Sequence, residues 1–483
     1  MQFRSAPSVA LPDGLQFALT WGIPDDFGGM TSAMLHRSRA FVRLSGRPVD
    51  ILTFDARTDY DRVEARLRAS AELIDGMRLI NLWDWLRTTT LPDSAPGMLT
   101  LDRHPYSPLD SDPGELVATR LADDGTVLQV DYRRADGTVV VSDRRDVAER
   151  GVIGGRSVVL CDERGVPVRS WGRIWALYRM WLDLLRERRP SFFIVDSKTV
   201  ARFAATYVRK RAVMMHLVHG SHLQGGELSA ARRETFENLD SFDSVVLLTH
   251  RQRSDVESLL GPRNNLAVIP NGREPTPHVR RARDVHHGVV LSSLIPRKRV
   301  AHSITAVRST TATLDIYGDG IERPTLEAVA SGRVHFHGYS ADARRALATA
   351  SFLLSTSTAE GLPLSLVEAM SAGCLPIAYD VAYGPSDLIV DGRTGFLVPP
   401  GDTQALAAAI ERLIALPRWR VARMRRAAVR ASSAFSDLTV TRLWAHEMRA
   451  AAARKADAWA QRVAPTLASP PDVAVDLVAQ SGG

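Results

Sequence analysis

Cysteine is almost absent: the 483 residues contain two, Cys161 and Cys374. They lie far apart and outside any CxxC pair, which excludes a disulfide framework and a cysteine-based zinc site. Both read as small buried hydrophobes. Lysine is nearly as scarce. Lys198, Lys210, Lys298 and Lys455 are the only ones among 61 basic residues, so a lysine inside a motif carries weight. No apolar run reaches the ~18–20 residues of a membrane span, and Met1–Leu15 lacks the charged-then-apolar layout of a signal peptide. The expectation is a cytoplasmic protein. At 45% hydrophobic and 24% charged residues, the chain is neither disordered nor collagenous. Its length suits two to four domains of roughly 100–200 residues. The net charge of +7 suits an anionic partner, such as a phosphate-rich polymer or an acidic membrane surface. Peripheral attachment at the inner face of a membrane is therefore left open. Nucleic acid is not expected, because no binding motif accompanies the charge.

The order of elements predicts an α/β fold of two doubly wound units. Leu15–Thr20 reads as a strand, Gly28–Gly29 as a turn, Met30–Val42 as a helix and Val49–Phe54 as the next strand. From Gly114 to Val168 short alternating runs are separated by Asp124-Gly125, Asp136-Gly137 and Arg164-Gly165. Asp-Gly between such runs is a strong hairpin signal, so an antiparallel β-meander is expected here. Trp171–Arg188 reads as a helix, and Phe192–Asp196, Ala212–Val218, Val245–Thr249 and Leu266–Ile269 as strands. A second α/β pattern begins at Gly288, with strands from Val289–Ser292 to Phe396–Val398, and the chain is helical from Asp402 almost to Arg462. The boundaries read as 1–98 and 171–273 for a first domain, 99–170 for the inserted meander and 274–284 for a linker. A second domain follows at 285–430, then C-terminal helices at 431–464 and a flexible tail at 465–483.

The most specific stretch is Glu360-Gly-Leu-Pro-Leu-Ser-Leu-Val-Glu-Ala-Met-Ser-Ala-Gly373. Gly361 permits a tight turn, and the helix opening near Pro363 points its N-terminal dipole at that turn. This makes a natural diphosphate seat. Glu360 in the loop and Glu368 two turns into the helix can reach two parts of one elongated ligand. A bare pair of glutamates at this spacing is commonly a loop residue and a solvated one, so the flanks decide.

With those flanks the segment resembles the signature of retaining glycosyltransferases of the GT-B fold, the group often labelled GT4. The resemblance implies two Rossmann-like domains facing a cleft, 285–430 binding the nucleotide sugar and the first domain facing the acceptor. It also implies that Glu360 lies beside the transferred sugar and Glu368 binds the ribose, with Gly361, Leu362, Pro363 and Leu364 between them. Gly28 and Gly29 resemble the family's glycine-rich first loop. His216-Leu-Val-His219-Gly-Ser-His222 resembles its strand-end histidine segment, with His219 the sugar contact and His222 a second candidate. Asn271 matches the end of the first domain. Gly318 matches the loop near the nucleotide, and Tyr339 the strand end that holds the base. The family usually places an arginine five residues before a lysine at the diphosphate. Here the lysine is Lys298 and the arginine position is Ser293, so Arg297 or Arg299 is left to supply that charge.

Within the family, Tyr383–Phe396 and Val245–Gln252 resemble enzymes that add α-linked sugars to poly(glycerol-phosphate) or poly(ribitol-phosphate), and relatives that glycosylate Ser/Thr-rich adhesins. The expectation is a retaining hexosyltransferase using a UDP-sugar, with no metal or other cofactor. Its acceptor would be an anionic polyol-phosphate polymer or a Ser/Thr-rich protein. Two alternatives are weighed: a catalytically silent partner subunit, which would be expected to lose Glu360 and Lys298, and a two-domain Rossmann-type sugar-nucleotide epimerase, which would lack the Glu360–Met370 segment. Alternation in Val127-Leu-Gln-Val-Asp-Tyr132 leaves apolar residues on both sides, which favours a homo-oligomer assembled through 99–170.

Overall fold

A computed structural model describes residues 9–90, 106–112, 114–146, 156–224, 227–274, 283–340 and 343–463. The expected tail and most of the expected linker lie outside them. The first sheet is fully parallel, with strands in the order Leu266–Val268, Ser244–Leu247, Ala212–Val218, Ser191–Val195, Leu15–Leu19, Val49–Thr53 and Met77–Asn81. The second is a parallel sheet in the order Val334–Gly338, Thr313–Tyr317, His287–Leu291, Phe352–Ser355, Leu375–Tyr379 and Phe396–Val398. Their central strands are almost wholly apolar and buried, as strands covered on both faces must be. In open parallel sheets ligands bind at the carboxyl ends of the strands. The two signature loops, His219–His222 and Glu360–Pro363, leave those ends and meet each other.

The chain does not remain in the second domain once it has entered it. The Asp437–Val463 helix returns to the first domain. Trp444 packs edge-on against Phe41, and Arg37 lies over its ring. Asp437 accepts a bond from His36 at 2.7 Å, and Lys455 holds Asp243 at 2.8 Å. This helix straps the two units together.

The meander is a five-stranded antiparallel sheet running from Val117–Leu121 to Pro167–Trp171. Trp171 pairs with Val158 as its last strand residue, and the following helix spans Ile174–Arg186, so the expected helix start at Trp171 is corrected. The expectation of two apolar faces is also corrected. Val130 and Tyr132 point inward, and Tyr132 stacks on Trp83 with ring centroids 3.4 Å apart. Their neighbours Gln129 and Asp131 point the other way and are buried polar groups. Gln129 donates to the Ser107 carbonyl at 2.9 Å, and Asp131 accepts from the Leu109 amide at 2.7 Å. The chain's own 106–112 segment therefore covers that part of the second face. Burying polar groups is tolerable there because each finds a partner. Both cysteines are free and buried, and burial pushes their thiols up to about 11 for Cys161 and about 12 for Cys374.

Candidate active site

The site is built on two short loops locked together. Pro296–Lys298 forms a single tight turn after the first strand of the second sheet. Thr356 anchors this turn by donating to the Lys298 and Arg299 carbonyls at 3.1 and 2.9 Å, and the Thr358 amide donates to the Arg297 carbonyl at 2.9 Å. These bonds carry Lys298 Nζ to Glu360 Oε1. Ser357 Oγ donates to the same oxygen at 2.6 Å, while Arg297 lies 3.4 Å from Oε2 and donates to the Ala359 carbonyl at 2.8 Å. The predicted residues Glu360, Lys298 and Arg297 thus come together, 62 residues apart in sequence for the lysine pair. Ser293 is exposed and carries no cation, whereas Arg297 brings a second positive charge to Glu360 beside Lys298.

Beside them the Leu364–Ala372 helix begins at Pro363 with no side chain capping its first amides. The Leu366 amide donates to the Pro363 carbonyl at 3.0 Å, and the other first-turn N–H groups and the helix dipole aim at the Glu360–Pro363 turn. The turn is braced from behind: Tyr383 N donates to the Glu360 carbonyl at 2.9 Å. At Gly361 a Cβ would sit 1.9 Å from the His219 carbonyl oxygen, so this turn requires glycine if the two domains are to approach this closely. Gly318 is a second such place. Its φ is +142°, and a Cβ would lie 1.8 Å from the Ser292 carbonyl.

On the first domain His219 Nε2 lies 2.7 Å from Asp196 Oδ1. Asp196 ends a buried strand and also takes two bonds from Arg37, at 2.9 and 2.7 Å. Burial works against its charge, but Arg37 and His219 outweigh burial and hold its carboxyl at about 2. This Arg37–Asp196–His219 chain fixes the histidine ring at the strand end. Neither Arg37 nor Asp196 was evident from the sequence motifs. Gly28 and Gly29 open the Gly29–Ser45 helix, and a Cβ at either would meet nothing within 4 Å. Packing does not demand glycine there, and the pair faces a cleft of about 470 Å³ lined also by Thr20, Trp21, Arg57 and Ser197.

His222 departs from its expected role as a second sugar contact. It is fully buried, stacked between Phe236 and Tyr383, with both ring nitrogens unpartnered. Burial lowers it to about 4, so it is a neutral core ring that joins the two domains. Glu368 is buried and held by two arginines that the sequence did not point to. Arg273, at the end of the first domain, donates to Oε1, and Arg344 lies 3.0 Å from the same atom. Asn271 lines a small cavity with His36, Arg37 and Trp444 rather than standing among the glutamates. Tyr339 projects from its strand end with 89% of its surface exposed, a ring free to stack on a base. Among the described residues, no three His, Cys, Asp or Glu side chains gather as a metal site.

Residues 288–415 match the family model described as Glycosyl transferases group 1. The chain carries a glycosyl transferase group 1 domain. It is 22% identical over 449 residues to the poly(ribitol-phosphate) α-N-acetylglucosaminyltransferase of Staphylococcus aureus, covering 80% of this chain and 90% of that protein. A crystal structure of S. aureus TarM holding UDP and α-GlcNAc-glycerol superposes with a TM-score of 0.66 at 19% identity, covering 90% of this chain and all of that one. The pneumococcal O-GlcNAc transferase GtfA with UDP and GlcNAc gives a TM-score of 0.65 at 20% identity, covering 91% of this chain and 99% of the other. The fold is therefore GT-B.

Proposed function

We propose that this protein is a retaining glycosyltransferase that moves a hexose or N-acetylhexosamine from a UDP-sugar to a hydroxyl of a polyol-phosphate polymer. The observation that carries the reading is the cation pair Lys298 and Arg297 on Glu360, set against the uncapped N-terminus of the Leu364–Ala372 helix. In the transfer the bond between the sugar's anomeric carbon and the diphosphate oxygen breaks, and negative charge develops on the diphosphate. Lys298, Arg297 and the helix amides offset that charge most strongly as the bond breaks. Arg297 takes the part for which Ser293 lacks a cation. Glu360, anchored by Lys298 and Ser357, is placed to orient the sugar hydroxyls, and Glu368 to receive the ribose. His219, fixed through Asp196, faces the sugar from the first domain. The acceptor oxygen bonds to the anomeric carbon on the face the diphosphate leaves, and its proton passes to the departing diphosphate oxygen, so the anomeric configuration is kept.

Similarity to the S. aureus poly(ribitol-phosphate) enzyme over nearly its whole length supports the polyol-phosphate acceptor. The likeness to GtfA supports Ser/Thr side chains as the second reading. A silent partner subunit fits less well, because Glu360 and Lys298 are both present and in contact. A metal-free reaction, a cytoplasmic location with peripheral membrane attachment, and self-association through the meander belong to the same reading. The free edges of the meander are Val117–Leu121, where Leu121 is 54% exposed, and Pro167–Trp171. The test is a donor panel: UDP release from UDP-glucose, UDP-GlcNAc and UDP-galactose, with and without poly(ribitol-phosphate), poly(glycerol-phosphate) or a Ser/Thr-rich peptide. Acceptor-dependent release with a polyol-phosphate is expected. Stimulation by the peptide alone would transfer the assignment to the second reading.

A further inference from the structure

The chain's positive charge is concentrated in one place that the proposed transfer does not use. Between Glu411 and Asp437 the sequence has seven arginines and no acidic residue, which equals the whole formal excess of +7. Most of this run is the Arg418–Ser432 helix. Its buried residues are Val421, Met424, Ala428 and Ser432, one stripe packed against the signature helix and its neighbours. At 100° per residue, Trp419, Arg423, Arg426 and Arg430 form the stripe pointing directly away from them. Trp419 is 65% exposed, and the three arginines are exposed. Arg418 and Arg420 flank the stripe. None of these five arginines makes an ion pair among the described residues. The nearest acids in sequence are engaged elsewhere: Glu411 accepts from the Thr311 amide at 2.9 Å, and Asp437 from His36 at 2.7 Å.

A row of uncompensated arginines costs self-repulsion and is rarely left without a counter-charge. Here it is rigid, continuous over three turns, and ends in an exposed indole. The combination of arginine charge with a tryptophan at one end matches the boundary of an anionic bilayer, where the ring lodges among headgroups and the guanidinium groups meet phosphates. A soluble polyanion would use the arginines but has no need of a lone exposed tryptophan. Among the described residues no helix is long and apolar enough to cross a membrane. Resting on the peripheral membrane attachment proposed above, we infer that the Trp419–Arg430 face docks this protein on a membrane surface rich in anionic phospholipid.

The test is co-sedimentation of the full chain with vesicles of equal parts phosphatidylglycerol and phosphatidylcholine, against phosphatidylcholine alone. Near an anionic surface each arginine raises partitioning about fivefold. The variant R423Q/R426Q/R430Q should therefore bind the anionic vesicles about 100-fold more weakly, with unchanged thermal melting as the control for folding. The wild type should prefer the anionic vesicles and be released at about 0.5 M salt. The vesicle-induced blue shift in tryptophan emission should be lost in Trp419→Ala. Equal binding by wild type and the triple variant, or no preference of the wild type for anionic vesicles, would overturn the inference. So would binding to polyuridylate as tight as to vesicles and indifferent to Trp419→Ala, which would mark a polyanion site instead.

Discussion

Replacing Asp196 tests whether the histidine of the first domain is held by a buried charge. Asp196 has no exposed side-chain surface and Arg37 only 6%, so the guanidinium that it neutralises cannot turn to water. Asp196→Ala removes two bonds from Arg37 and one from His219 and leaves a cation buried alone. Breaking one partner out of such a pair costs about 3–5 kcal/mol, and urea unfolding followed by fluorescence should show that loss. Asp196→Asn keeps the shape and part of the hydrogen bonding but not the charge, and should cost less. The pH dependence gives an independent check. The folded carboxyl is depressed from 3.8 to about 2. It therefore contributes stability that is full above the unfolded value and is lost as pH falls from about 4 toward 2. That contribution is about 2 kcal/mol, at about 1.4 kcal/mol per unit. Asp196→Asn should lose this part of the acid slope. If the two proteins share one stability curve between pH 5 and pH 3, and Asp196→Ala melts like wild type, the buried triad is wrong.

Four other outcomes follow from the same geometry. Lys298→Ala should lower turnover by about 10²–10³ in a UDP-release assay with little change in melting, since its contribution grows as the diphosphate departs. Glu368→Ala should weaken UDP binding in a calorimetric titration more than it changes turnover. It should also destabilise the fold by about 1–3 kcal/mol, because the half-buried Arg273 is left without its partner. Gly361→Ala should abolish transfer while each domain stays folded, since the new methyl drives the loop off the His219 carbonyl; near-normal activity would show that the domains need not approach so closely. Light scattering on the intact chain should report more than one copy, and Leu121→Asp at the meander edge should reduce that number. A monomer in the intact protein would remove self-association from the account.

What the sequence discloses and what it withholds divide along range of contact. The glycine loops, the apolar strands and the Glu360–Gly373 segment are local patterns, and they place both sheets and the helix beneath the proposed diphosphate seat. Lys298 stands out because lysine is so rare in this chain. The Arg37–Asp196–His219 chain is invisible to any local pattern, since it joins the first helix to the ends of two strands that pair only after folding. Arg273 and Arg344 are hidden for the same reason. The histidines of 216–222 show the limit from the other side. Three look alike in sequence, yet His216 bonds a neighbouring strand's carbonyl at 3.0 Å, His219 stands at the strand end and His222 is sealed between two aromatic rings. The meander's alternation was legible, but not the 106–112 segment that satisfies Gln129 and Asp131 from a distance.

The central claim is that a sugar passes from a UDP donor to a polyol-phosphate hydroxyl with its configuration kept. Proton NMR of poly(ribitol-phosphate) or poly(glycerol-phosphate) incubated with the enzyme and the active UDP-sugar reads this directly. The account predicts a new anomeric signal with the small coupling of an α-linkage from the α-linked donor, absent with Lys298→Ala. A β-linked product, or no sugar on any polyol-phosphate with any UDP-sugar, would contradict it.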